Sequence, residues 1–200
     1  MTSYNFKVRE GNTPIDEDQV QGLMFTHLTT MAEIDELEDL NIQKGTEWLN
    51  SQNKKDYLSI DFLCKLHTKL FGDVWIWAGK FRKVEVNISR PRSHDVGPQL
   101  KNLFEDTKIW IASDEMSWDE IFAELHHRLV AIHPYPNGNG RTTRIYVEHV
   151  QRQNKQPVTS WMSSLEGNSK ERRLLYITAL KKADNGDYSP LIKFMKEKVP

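Results

Sequence analysis

Residues 117–144 read SWDEIFAELHHRLVAIHPYPNGNGRTTR, and the order of features in this stretch decides how the chain is built. Ser117-Trp118-Asp119-Glu120 has the form of a capping box, in which the Ser and Glu side chains satisfy backbone amides of a helix's first turn. Ile121, Phe122, Leu125, Leu129 and Ile132 follow at helical spacing and predict one apolar face. The helix should stop at His133, because the ring of Pro134 disfavours helical geometry in the residue before it. After a loop holding two glycines, a second helix restarts near Gly140 and carries Ile145, Val147 and Val150. A capped helix, a tight polar loop and a second helix are therefore the centre of the fold.

Working outward, the same period recurs on both sides. Thr30 to Leu49 is a candidate helix whose recurring face holds Met31, Ile34, Leu37, Leu40, Ile42 and Trp48, and Asp16 to Met24 is a shorter one. Ser59 is placed to N-cap Ile60–Phe71, with Phe62, Leu63, Leu66 and Leu70 as its stripe and Gly72 as its end. Pro98 should open a helix through Leu100, Leu103, Phe104, Ile109 and Trp110. The end of the chain predicts helices over Lys170–Ala183 and Pro190–Lys198, divided by the turn Asp184-Asn185-Gly186-Asp187. Only at Lys83–Ile88 does the period drop to two, which predicts a short strand and, with Pro91, Gly97 and Pro98 behind it, a hairpin or flap. The expected fold class is mostly α, a helical bundle with one short β-hairpin flap.

Two hundred residues suffice for one compact core, and no linker or repeat divides them. A net charge of −1 gives no general attraction to nucleic acid or membrane. Basic residues gather at Arg144, Arg152, Lys155, Lys170, Arg172, Arg173, Lys181 and Lys182, where a solvated helical face is the plainer reading. The single cysteine, Cys64, excludes an internal disulfide and lies among apolar neighbours, as a small buried residue would. No stretch is apolar enough to span a bilayer, and the N-terminus lacks the pattern of a secretion signal, so a soluble, cytoplasmic protein is expected.

The chemistry concentrates in His133-Pro134-Tyr135-Pro136-Asn137-Gly138-Asn139-Gly140-Arg141-Thr142-Thr143-Arg144. Gly138 and Gly140 allow successive N–H groups to turn inward as an anion-binding nest. The helix that follows directs its positive dipole end at the same place. Arg141 and Arg144, three apart, can present two guanidinium groups to a polyphosphate. His133, at the other end of the loop, is the side chain whose ordinary pKa lies nearest neutrality, and it can take a proton from a hydroxyl attacking phosphorus.

This stretch resembles the Fic signature, His-x-Phe-x-Asp/Glu-Gly-Asn-Gly-Arg-x-x-Arg, with Tyr135 replacing Phe and Asn137 replacing the acid. The similarity extends to the segment from Phe71 to Arg82 and to the turn from Ala183 to Leu191, while Gly11-Asn12-Thr13-Pro14-Ile15 and the helix after Thr29 resemble the bacterial subgroup called mobile mystery protein B. The resemblance implies a Fic-like core over residues 59–200, with residues 1–58 as an N-terminal helical extension packed on it. It also implies transfer of AMP from ATP, with Mg²⁺, to a Ser, Thr or Tyr hydroxyl of a target protein. By that resemblance His133 is the base, and Gly138, Asn139, Gly140, Arg141 and Arg144 bind the nucleotide. Asn137 falls at the metal-ligand position, and the flap residues Val84, Glu85, Val86, Asn87 and Ile88 receive the target. Tyr135 fills the place of a buried anchoring Phe, with its hydroxyl expected at a wet edge.

Asn137 is the main departure: an amide oxygen can ligate a hard cation but brings no charge, so Mg²⁺ recruitment should be weaker. The family's inhibitory Ser/Thr-x-x-x-Glu-Gly/Asn pattern has no full match, and Thr29 to Glu33 comes nearest, which makes Glu33 the candidate inhibitory residue. An antitoxin or other regulator is a further expected partner. The alternatives are a Fic-fold nucleotide-binding regulator that transfers nothing, an enzyme with an altered donor, and a helical nucleic-acid binder, which the charge disfavours. Metal hydrolysis is set aside because His126-His127 near Glu124 lacks His-Glu-x-x-His spacing.

Overall fold

The computed structural model describes residues 22–25, 30–52, 56–85, 91–159, 161 and 170–197. In chain order the helices are α1 (Met31–Asn50), α2 (Ile60–Phe71), α3 (Val96–Ser113), α4 (Trp118–Ile132), α5 (Asn139–Gln153), α6 (Lys170–Ala183) and α7 (Ser189–Lys196). The two serines expected to cap helices, Ser59 and Ser117, do so, and α1 is capped as well. Thr30 and Glu33 close a capping box on α1, Ser117 and Glu120 close one on α4, and the Ser59 hydroxyl accepts the Phe62 amide on α2. Each such cap is worth about 1 kcal/mol against alanine. A 3-10 turn at Ser93–Asp95 leads into α3, so that helix begins just before Pro98.

The core is shared by the inner faces of α2, α3, α4 and α5. Leu63, Leu66 and Leu70 meet Leu100, Leu103 and Phe104, and Leu125, Leu129, Tyr146, Val147 and Val150 close the other side, all at most 2% exposed. Burial of each large side chain contributes about 1.5–3 kcal/mol, which makes this cluster the main source of stability. Helix α1 packs across α2, while α6 and α7 pack on each other and α7 reaches α4. The approach of α1 to α2 is close because Gly45 has no side chain: a Cβ there would lie 2.6 Å from the Lys69 carbonyl oxygen.

The buried face of α1 is rotated from the expected one. Met31, Ile34 and Leu49 are buried, but so are Asp35, Glu38, Asn41 and Gly45, whereas Leu40 is exposed. The reason is polar. Asn41 donates to the Lys69 carbonyl at 2.9 Å and accepts the Asp73 amide at 2.8 Å, finishing the C-terminal end of α2.

No strand occurs among the described residues, so the expected β-hairpin is not part of the observed fold. Lys83, Val84 and Glu85 are irregular, and Val86, Asn87 and Ile88 lie outside the described residues. The extended pairing among the described residues is an antiparallel bridge between Leu23 and Trp75, with Met24 donating to the Val74 carbonyl and Ile76 to that of Gly22, each at 2.9 Å. Most of the helix candidate over Asp16–Met24, and the subgroup-like residues Gly11 to Ile15, also lie outside the described residues. No helix among the described residues is long and apolar enough to cross a membrane.

Candidate active site

Helix α4 ends as its sequence requires. The His133 amide donates to the Leu129 carbonyl at 3.1 Å, and His133 itself adopts the left-handed conformation at φ 50° and ψ 61°. A non-glycine residue in that region stores of order 1 kcal/mol of strain, and Pro134 excludes the helical alternative. Burial is the main influence on the imidazole and lowers its pKa to about 4; the Arg82 charge pulls the same way, and a hydrogen bond to the Val130 backbone opposes them. At neutral pH His133 is therefore an unprotonated base.

Arg82 ties the loop to the segment before the flap. It is 2% exposed; its backbone amide donates to the Pro134 carbonyl at 2.8 Å and its Nε to the His133 carbonyl at 2.9 Å. The same guanidinium donates to the Val84 carbonyl at 3.0 Å and the Pro91 carbonyl at 2.6 Å. One buried cation thus fixes the backbone around the base and brackets the two ends of residues 84–91.

The loop is shaped by Tyr135 and Asn139. Asn139 grips the Tyr135 backbone with both polar groups, its Oδ1 accepting the amide at 2.8 Å and its Nδ2 donating to the carbonyl at 2.7 Å. Its side chain, 3% exposed, therefore holds the loop, which leaves its backbone N–H as the group it can offer to a ligand. Tyr135 is fully buried and stacks on His67 with ring centroids 3.7 Å apart. Its hydroxyl is not at a wet edge as expected: it donates to Cys64 Sγ at 3.7 Å, because the thiol on α2 supplies a polar partner inside the core. Burial is the main influence raising the pKa of the Cys64 thiol, which disfavours its thiolate form.

Gly138 must be glycine. Its φ is 75°, and a Cβ would lie 2.7 Å from the Phe71 ring. Its carbonyl accepts the first helical bond of α5 from the Thr142 amide at 2.9 Å. Inside α5 the amides of Asn139, Gly140 and Arg141 are consequently left without intrahelical acceptors, which makes the first turn an anion site. The Gly138 amide is turned instead to Asn137 Oδ1 at 2.7 Å.

The two arginines do not lean the same way. Arg141 lies over the Phe71 ring at 4.8 Å and donates at 2.5 Å to Glu38 of α1, whose other carboxylate oxygen accepts the Trp75 indole N–H at 2.6 Å. Arg144 folds back on the first turn, with a guanidinium nitrogen 3.3 Å from where a Gly140 Cβ would be. Burial lowers the Arg144 pKa, and the nearby Tyr176 of α6 opposes that shift. The Tyr176 hydroxyl also meets His126 Nε2 at 2.8 Å. Glu33 closes the N-terminus of α1 against Thr30, and Glu38 is a carboxylate that meets a loop arginine.

Glu38, Tyr176 and Arg82 were not singled out as site residues by the sequence. Glu38 had one signal, a carboxylate on the same helix face as Ile34 and Asn41. Among the described residues no group of three His, Cys, Asp or Glu side chains could hold a metal ion, and Asn137 presents its oxygen to the backbone. What the loop offers Mg²⁺ at this position is one neutral amide oxygen, already accepting the Gly138 amide, and no carboxylate.

The sequence profile of the Fic/DOC family matches residues 57–150, which run from the N-terminal side of α2 through His133 and the loop into α5. Over these residues the chain is similar to the Fic/DOC family. Curated relatives include the protein adenylyltransferase Fic of Nematostella vectensis, 26% identical over 96% of this chain and 45% of that protein, and that of Drosophila mojavensis, 28% identical over 94% and 37%. The chain thus spans less than half the length of these relatives. Among solved structures, the Fic domain of Bep8 from Bartonella sp. 1-1C is similar at a TM-score of 0.68, with 16% identity over 92% of this chain and 94% of that one. BepC from Bartonella tribocorum with bound AMPPNP is similar at 0.66, with 18% identity over 84% and 87%. These likenesses establish the Fic fold for the arrangement of helices around His133.

Proposed function

We propose that this chain is a Fic-type protein adenylyltransferase, which moves AMP from ATP to a Ser, Thr or Tyr hydroxyl of a target protein. The observation that carries the reading is a neutral, half-buried imidazole at one end of a loop whose other end offers free helix amides and two guanidinium groups. The names of the curated relatives and the AMPPNP bound to BepC support ATP as the donor. In the reaction the target hydroxyl attacks the α-phosphorus as its proton passes to His133. The bond from that phosphorus to the bridging oxygen breaks, and pyrophosphate leaves. The amides of Asn139, Gly140 and Arg141 stabilise charge on the α-phosphate oxygens, and Arg144, steadied by Tyr176, meets the outer phosphates. Arg141 can join it once Glu38 yields.

Residues 84–88 are assigned to receive the target, a role supported by the bracket that Arg82 forms around that segment. The reading includes the resemblance to the mobile mystery protein B subgroup, a cytoplasmic setting, and regulation by a partner such as an antitoxin. It contains no step through Mg²⁺. ATP labelled in turn at the α- and γ-phosphate, incubated with a lysate and this chain, tests it. Protein-bound label from the α position alone is the expected result, and label from the γ position would make the chain a kinase-like enzyme instead.

A further inference from the structure

Asn137 is held from two sides. Its backbone carbonyl is 3.1 Å from His67 Nε2, while the Gly79 amide donates to His67 Nδ1 at 2.9 Å. Because Gly79 can only donate, Nδ1 is the acceptor and the ring proton is on Nε2, where it is donated to Asn137. His67 is fully buried between these groups and stacked on Tyr135, so the Asn137 backbone has little freedom. On the other side, Asn137 Oδ1 accepts the Gly138 amide at 2.7 Å. A carboxamide is planar, with its oxygen and nitrogen pointing apart; turning the oxygen onto Gly138 directs the NH₂ group away from the backbone.

A residue that ligates a hard cation must present an oxygen to it. Asn137 presents two N–H bonds. The same loop–helix unit carries further donors: the first-turn amides of α5, Arg144, and Arg141, which is paired with Glu38. A phosphate oxygen, which only accepts, matches these groups, whereas a cation would find at Asn137 a neutral oxygen already engaged by the Gly138 amide.

We propose that Asn137 is a hydrogen-bond donor to the phosphates of the bound nucleotide, so that nucleotide binding at this loop does not depend on a divalent cation held by the protein. The proposal rests on the reading of the loop as a nucleotide site. In this arrangement Asn137 replaces a ligand for a cation with a direct contact, and the arginines supply the positive charge. His67 is a positioning residue, acting on Asn137 through its carbonyl.

Calorimetric titration with a non-hydrolysable ATP analogue, in excess EDTA and in excess Mg²⁺, tests this without reference to turnover. Wild-type protein should bind with nearly equal affinity in both. Asn137→Ala, which loses a hydrogen bond to a charged group, should bind roughly ten- to a hundredfold more weakly in both conditions. Asn137→Asp should bind weakly in EDTA, where a carboxylate faces phosphate, and recover in Mg²⁺. Wild-type affinity that falls about tenfold or more in EDTA, or an Asn137→Ala variant that binds like wild type, overturns the proposal while leaving the nucleotide site in place. Failure of the wild-type protein to bind the analogue in either condition overturns the nucleotide reading and this proposal with it.

Discussion

On the proposed reading, replacing His133 by alanine removes the imidazole that meets the attacking hydroxyl, while the amides assigned to the phosphates lie at the far end of the loop. Transfer should fall roughly 10²–10⁴-fold, with ATP affinity nearly unchanged in a parallel titration. A variant that transfers at the wild-type rate would remove His133 from the role. At this scale the sequence was most informative about identities and least about directions. That His133 ends α4 follows from Pro134, and that Gly138 turns the chain follows from the loop. Where the Tyr135 hydroxyl points, which backbone the Asn139 amide grips, and that Glu38 meets an arginine depend on groups brought together by packing. Glu38 and Arg141 are 103 residues apart, and Tyr176 and His126 are 50 apart, and no local spacing announces such pairs.

At the scale of elements, the loop helix α5 is held by its neighbours through its arginines, α1 by way of Glu38 and α6 by way of Tyr176. Glu38→Gln keeps an acceptor for the Trp75 indole but removes the charge that occupies Arg141. Nucleoside triphosphate affinity should rise by roughly three- to tenfold, the scale of an ion pair whose arginine is partly exposed, with little change for the monophosphate. Calorimetry with both ligands checks this, and unchanged triphosphate affinity would mean that Glu38 only anchors α1. Tyr176→Phe removes the hydroxyl that steadies Arg144 and should weaken triphosphate more than monophosphate; equal loss for both would place Arg144 away from the outer phosphates. Helix α1 also illustrates where periodicity misleads: its apolar residues give the right element, but Asn41 and Glu38, needed for the end of α2 and for Arg141, set which face is buried. The alternation at Val84, Val86 and Ile88 is a different case, because alternation requires a partner strand to become structure. A peptide supplied by the target would be such a partner, and Val86→Pro should impair target modification without affecting ATP affinity.

Across the whole molecule, helices and core were legible because they follow from apolar spacing and caps, while the stack of buried histidines was not. His67 and His126 are held down to about 3, and His133 and His149 to about 4, in each case mainly by burial. Their folded pKa values lie below the ordinary value near 6.5, so the unfolded chain binds more protons as the pH falls through that value. Stability should then be greatest above about pH 6.5 and decline below it, by up to about 2 kcal/mol per histidine between pH 7 and 5. Glu148, raised by burial to about 7, runs in the opposite sense and offsets about one of the four. Urea unfolding at pH 7 and pH 5 should show a net loss of several kcal/mol, and equal stability at the two values would mean that these rings are not buried in their neutral form.

The central claim is that the loop after α4 transfers AMP with His133 as its base, and intact-mass spectrometry tests it most directly. Wild type, Glu38→Gln, and Glu38→Gln combined with His133→Ala are each incubated with ATP and a lysate, and the proteins are recovered and weighed. The expected result is one or more proteins gaining the mass of a single AMP residue on a hydroxyl side chain, more of it with Glu38→Gln and essentially none once His133 is replaced. AMP-bearing protein in equal amount with and without His133, or its absence from both the wild-type and Glu38→Gln reactions, would contradict the account.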